Sequence, residues 1–142
     1  MGFSLVAAAA IIGLSVIMVI EIIVGTTVPT VVDVQDSFED MKNRAIEQVQ
    51  TNINITDVTS ETNGSGLDIN ITVENTGSVT LETKNFNILV NGTVMQFSAS
   101  KSYLFPEKEV YFNVSSLSGT GDRRLKIITN NGISDFYDFN LS

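Results

Sequence analysis

Residues 3–24 read FSLVAAAAIIGLSVIMVIEIIV, 22 positions with a single ionisable side chain, Glu21. As a helix rising about 1.5 Å per residue, the run extends roughly 33 Å, enough to cross a bilayer core of ~30 Å. It holds no Lys, Arg, His, Asn or Pro. A buried helix of a soluble protein would need apolar cover on every side, and a chain of 142 residues cannot supply it. The run therefore reads as a membrane-spanning helix, and the remaining sequence has to be arranged around that constraint.

A cleaved secretory signal carries a basic leading segment, an apolar stretch of roughly 7–15 residues and a small-residue cleavage site. Here no Lys or Arg precedes the run, which is also longer than that. A prepilin-type signal likewise sets a basic and a small residue just ahead of the helix, where only Met1 and Gly2 stand. An uncleaved anchor is expected. Past the helix come Asp33, Asp36, Glu39 and Asp40 before the first cation, Lys42. The bias of positive charge towards the cytoplasmic side is weak here, but it favours an N-terminus inside and a C-terminal body outside.

That body is polar, rich in Asn, Ser and Thr, and acidic, the whole chain carrying a net charge of −8. Such a surface repels nucleic acid and anionic headgroups. The sequence has no cysteine and no histidine. Disulfide stapling and thiolate chemistry are excluded, and so are the usual general base and the commonest metal ligand. Glu and Asp are scattered with no pair at a spacing that makes one site, and a serine nucleophile would lack its base. Asp122, Asp135 and Asp138 do not follow a calcium-loop spacing and read as a solvated face. A non-enzymatic protein without cofactor or metal is expected. Glu21 reads first as an interfacial group near the outer end of the span, second as a helix–helix contact. The small residues Ala7–Ala10, Gly13 and Ser15 would permit close helix packing.

Three segments follow from the patterning: an anchor over 1–29, an amphipathic helical stalk over 30–50, and a domain over 51–142. Pro29 should kink the helix or start a new one, with Thr27 as a possible N-cap. Val31, Val34, Phe38, Met41, Ala45 and Val49 then recur at spacings of three and four, one apolar stripe on a helix. Val34, Phe38, Met41, Ala45 and Val49 are the candidate stalk interface, either a seam against a partner helix, as in a homodimer, or a face docked on the chain's own sheet. From Asn52 the period becomes two. Ile53 and Ile55, then Leu67, Ile69, Ile71 and Val73, alternate with polar residues as half-buried strands do. VTLET, NFNILV with Phe86, Ile88 and Val90, TVMQFS beyond Asn91-Gly92, EVYFNV with Val110, Phe112 and Val114, and a hairpin across Asn130-Asn131-Gly132 continue the series. Seven or eight short strands match an all-β, immunoglobulin-like antiparallel sandwich.

Asn-x-Ser/Thr occurs at Asn54, Asn63, Asn70, Asn91, Asn113 and Asn140, always beyond the apolar run and never with Pro in the middle. Composition alone would give roughly two or three. These six are candidate N-glycosylation acceptors. Asn54, Asn70 and Asn113 fall on expected outward strand faces, Asn63 and Asn91 in expected turns. Asn and Thr also suit turns and exposed strand faces without any modification.

The MGFS start, the acidic amphipathic stalk, and a sandwich containing ITVENTGSVTL (Ile71–Leu81) and a NILVNGT hairpin (Asn87–Thr93) together resemble the FlaF family of archaellum stator proteins. That family belongs to a larger set with archaellins, archaeal pilins and FlaG. The resemblance implies a role in archaeal motility. The domain would lie outside the cell membrane and contact the S-layer, with membrane lipid, FlaG and archaellins as further partners. It carries over no catalytic and no contact residues. The alternative is a filament subunit of archaellin or pilin type, assembling through its N-terminal helix. A sugar-binding or enzymatic envelope domain is a more distant reading.

Overall fold

The computed structural model describes residues 2–64 and 66–141. The first element is one continuous helix, α1 (Gly2–Gln50). The compact units are 1–43 and 44–142, so the last turns of α1 belong with the β-domain. Pro29 lies inside α1 and starts no new helix, which was one of the two outcomes expected from its ring. Proline removes a single i→i−4 bond, and hydroxyls add contacts to the backbone around it. Thr30 Oγ1 donates to Thr26 O at 2.8 Å and Thr26 Oγ1 to Ile22 O at 2.6 Å.

The β-domain holds ten strands among the described residues: β1 (Ile53–Asn63), β2 (Gly66–Asn75), β3 (Leu81–Glu82), β4 (Asn87–Val90), β5 (Thr93–Met95), β6 (Ser98–Ala99), β7 (Tyr103–Leu104), β8 (Glu109–Leu117), β9 (Gly121–Ile128) and β10 (Ser134–Leu141). The first sheet runs β1-β2-β8-β6 and the second β10-β9-β4-β5, with β3-β7 a separate ribbon. All strand pairs are antiparallel. Ile69, Ile71, Val73, Val110, Phe112 and Val114 of the first sheet and Ile88, Val90, Leu125 and Ile127 of the second share one buried core. The expected alternation is thus the real one, and the domain is a sandwich. Leu67 is half-buried and packs against that core, beside a register shift between β2 and β8.

The strand count exceeds the expected seven or eight because β3, β6 and β7 have two residues each. VTLET keeps only Leu81–Glu82 as strand before a 3-10 turn at Thr83–Asn85. TVMQFS does not return as one strand. Met95 ends β5, and β6 pairs with β8 in the opposite sheet. Phe97, at that crossing, sets its ring edge-on to Phe112 with centroids 5.3 Å apart, so burying one aromatic moves the chain between sheets. Asn91-Gly92 forms the expected two-residue hairpin, both residues having positive φ (49° and 83°).

The end of α1 meets the turn after β2. Ser78 N donates to Gln50 O at 2.9 Å, and Thr76 N and Gly77 N each donate to Asn52 O at 3.0 Å. These bonds satisfy carbonyls that a helix end leaves open. Asn75 holds the turn from inside. It is fully buried, its Nδ2 donating to Val79 O (2.8 Å) and Leu104 O (3.1 Å) while its Oδ1 accepts from Gly77 N (3.0 Å). A second tie comes from the β9–β10 loop, where Asn131 Nδ2 donates to Thr51 Oγ1 (2.8 Å) and Gln48 Nε2 to Asn131 O (3.0 Å).

Replacing Asn75 by Ala removes its bonds to the Val79 and Leu104 carbonyls and leaves Gly77 N only its bond to Asn52 O, and should destabilise the domain by about 3 kcal/mol in chemical denaturation. Gly77→Ala should be comparably damaging, because its Cβ would press on the Gln50 carbonyl oxygen and stand 2.6 Å from Asn52 N. Unfolding midpoints unchanged in both variants would refute this account of the joint.

Candidate docking surfaces and acceptor asparagines

Every described side chain of α1 is exposed, the small residues and Glu21 included. That covers the whole candidate stalk interface: Val34, Phe38, Met41, Ala45 and Val49. By length and composition α1 is able to cross a membrane, since it contains an apolar window of 18 residues with at most two charges.

All six acceptor asparagines are exposed. Asn54, Asn70 and Asn113 lie on the outer face of the first sheet, as expected. Asn91 sits in the β4–β5 turn, and Asn63 is the last residue of β1 rather than a turn residue. Asn140 projects from β10. Asn70 and Asn113 are direct partners across β2 and β8. Within the Asn113 motif, Ser115 Oγ donates to Asn113 Oδ1 at 3.2 Å. Asn91 Oδ1 accepts from Arg124 N at 2.9 Å, which leaves its amide nitrogen outward. Asn63 and Asn140 donate to Asp68 (2.9 Å) and Asp122 (2.6 Å).

The same outer face carries Asp57, Glu61, Asp68, Glu74 and Glu109 at paired or neighbouring positions. None of these five forms an ion pair among the described residues. The second sheet differs. Its register places Phe136, Lys126, Leu89 and Val94 side by side across β10, β9, β4 and β5. This row was not apparent in the sequence reading, although a signal for it exists. Ile88-Leu89-Val90, Ile127-Ile128 and Phe136-Tyr137 put apolar residues on both phases of a strand, which alternation with one solvated face does not require.

The three carboxylates considered for a cation each have a separate partner. Asp122 accepts from Asn140. Asp135, half-buried, accepts from Ile55 N at 2.8 Å and so closes the edge of β1 where its pairing shifts register. An inward carboxylate on an edge blocks further strand pairing. Asp138 takes a bidentate pair from Arg124 Nε (2.7 Å) and Nη2 (2.9 Å). No group of three or more metal-ligating side chains occurs among the described residues.

Neither a protein-family model nor a curated protein matches the chain. Among solved structures it is similar to the archaellum periplasmic stator protein FlaG from Sulfolobus acidocaldarius. The TM-score is 0.53 at 21% identity, covering 63% of this chain and 99% of that one. The two share a fold.

The hydrogen bond from Arg124, and its charge, hold the Asp138 carboxyl below the usual carboxylate range. A depressed pKa favours the folded state above the ordinary carboxylate value and loses that contribution as pH falls through the lowered one. Both groups are exposed, so the effect on stability is small. The Asp138 carboxyl should titrate by NMR below the ordinary aspartate value, and Arg124→Met should raise it towards that value. A titration already at that value in the parent protein would contradict the pairing.

Proposed function

We propose that this chain is a membrane-tethered, non-enzymatic component of the archaellum motor of FlaF/FlaG type. Its sandwich lies outside the membrane and grips the S-layer as part of the stator. One observation carries the reading: a helix able to span a bilayer leads directly into a β-domain with the fold of a protein described as an archaellum periplasmic stator. The FlaF-like MGFS start and VENTGS turn (Val73–Ser78) support the same group. The reading makes physical sense of the parts. A rotating filament exerts reaction torque on its mount, and a single helix in fluid lipid cannot resist it. Resistance requires a grip on something fixed, and the lattice outside the membrane is fixed. Membrane lipid, S-layer protein, FlaG and archaellins are the proposed partners, and nucleic acid is not one.

A second reading, a filament subunit, draws on the full exposure of the apolar α1, which packing into a fibre core would cover. Deletion separates the two. Cells lacking a stator component should assemble filaments yet fail to swim, and neither the helix alone nor the domain alone should restore movement. Normal swimming in the deletion strain would end the stator reading. This chain as a major component of purified filaments would establish the second.

The exposed Asn-x-Ser/Thr motifs are proposed glycan acceptors on the outward body. Opposed residues on neighbouring antiparallel strands have Cβ atoms only about 5 Å apart, too close for two bulky glycans. Mass spectrometry of the intact domain should therefore show Asn70 or Asn113 modified in a given molecule, not both. A doubly modified species would overturn the exclusion.

A further inference from the structure

The two outer faces of the sandwich are chemically unlike. The first presents five carboxylates and four acceptor asparagines, Asn54, Asn63, Asn70 and Asn113. Across the second, Phe136, Lys126, Leu89 and Val94 form a row crossing all four strands, about 14 Å at the usual strand spacing. Phe136 is 54% exposed and Val94 60%, with Leu89 and Ile128 half-buried beside them. The row is free of acceptor asparagines. Asn140 lies four residues along β10 from Phe136, and Asn91 lies in the turn.

Two charges on this face lack an ion pair among the described residues: Asp122, four residues along β9 and held by Asn140, and Lys126, the one charged side chain within the row. Arg124 and Asp138 neutralise each other. Lys126 forms no ion pair among the described residues, and its Nζ lies 5.0 Å from the Phe136 ring centroid. The ammonium is thus held over the apolar row by the ring's negative face. At its far end the row opens into a groove between residues 94–98 and Asn113, Ser115 and Ser116, so the acceptor Asn113 borders that groove although it lies outside the row. An apolar strip of this kind on a solvated sheet face marks a contact surface.

We infer that the outer face of the β10-β9-β4-β5 sheet is the surface by which the domain holds a protein partner, an apolar patch presenting a carboxylate to Lys126. This rests on the S-layer reading above and gives the grip a location. Charge selects the occupant. A second copy laid face to face and centred on the row would set Lys126 against Lys126, an unfavourable pairing at a desolvated contact. A partner carboxylate matches Lys126, the one charge within the row, and the flanking apolar side chains exclude water from that pair.

The test uses the full-length chain in lipid nanodiscs, titrated with purified S-layer protein. Phe136→Ser, Val94→Asp and Lys126→Glu should each weaken binding at least tenfold, while Lys126→Arg stays close to the parent. Thr59→Lys, on the outer face of the opposite sheet and outside every acceptor motif, should change binding less than twofold. Thermal unfolding matched to the parent confirms that each variant is folded. Should the parent bind and the three variants bind equally well, this face is not the grip, and the stator reading stands without it. Should the parent fail to bind S-layer protein at all, both fall together. Loss of self-association by the variants in sedimentation equilibrium, with S-layer binding unchanged, would make the face a contact between copies and overturn the assignment.

Discussion

A fully buried side-chain amide is costly unless every one of its polar atoms is used, and Asn75 uses all of them. Its main chain is engaged too, donating to Lys108 O at 3.0 Å and accepting from Glu107 N at 2.9 Å. Four pieces of backbone therefore converge on one residue: the turn that receives the end of α1, Val79 before the β3 ribbon, β7, and the turn into β8. The closed shape of the 75–78 turn depends on this amide. That turn offers the amides that donate to the Gln50 and Asn52 carbonyls where the helix ends. The core begins just past that point in the chain, at Ile53. Gly77 belongs to the same constraint, since any side chain there would occupy the space of the Gln50 carbonyl.

Beyond that joint the molecule divides its surface by chemistry. The first sheet turns carboxylates and acceptor asparagines to solvent, a face that repels anionic neighbours and stays hydrated. The second turns an apolar row outward and leaves Lys126 without a carboxylate. Asp135 occupies one backbone amide on the edge of β1, at Ile55, and so blocks strand addition at that point. The exposed α1 makes a complementary demand, because an apolar helix without cover is at home only in lipid or against other helices.

Much of the fold was legible because burial on one side of a strand leaves a period of two. Ile69, Ile71 and Val73, or Val110, Phe112 and Val114, reveal their inward phase without any structure, and Asn91-Gly92 reveals its turn. Other features depend on contacts distant in sequence. Asn75 sits in a Glu-Asn-Thr-Gly stretch that reads as a solvated turn, and nothing local says that Leu104 O lies above it. Pro29 carries a strong local signal, yet one missing hydrogen bond does not end a helix with 49 residues behind its continuity. Gln96 and Phe97 look like a continuing strand, and only the position of Phe112 shows why the chain leaves one sheet for the other. The acceptor asparagines were found from their motifs, but the opposition of Asn70 and Asn113 exists only in the register.

The joint also determines how the domain meets a load. The helix runs into β1 through Thr51 and Asn52, and β1 is paired with β2 from Ile53↔Asn75 to Asn63↔Gly66. Tension applied at Gln50 along that strand pulls β1 lengthwise past its neighbour. Hydrogen bonds perpendicular to the pull are then strained together rather than broken one after another from an end. Asn75, opposite the first residue of β1, stands at the point where the force enters. A ladder loaded in this way yields abruptly and at high force, as a lap joint does, so the strand that ties the domain to its helix doubles as a mechanical fastener.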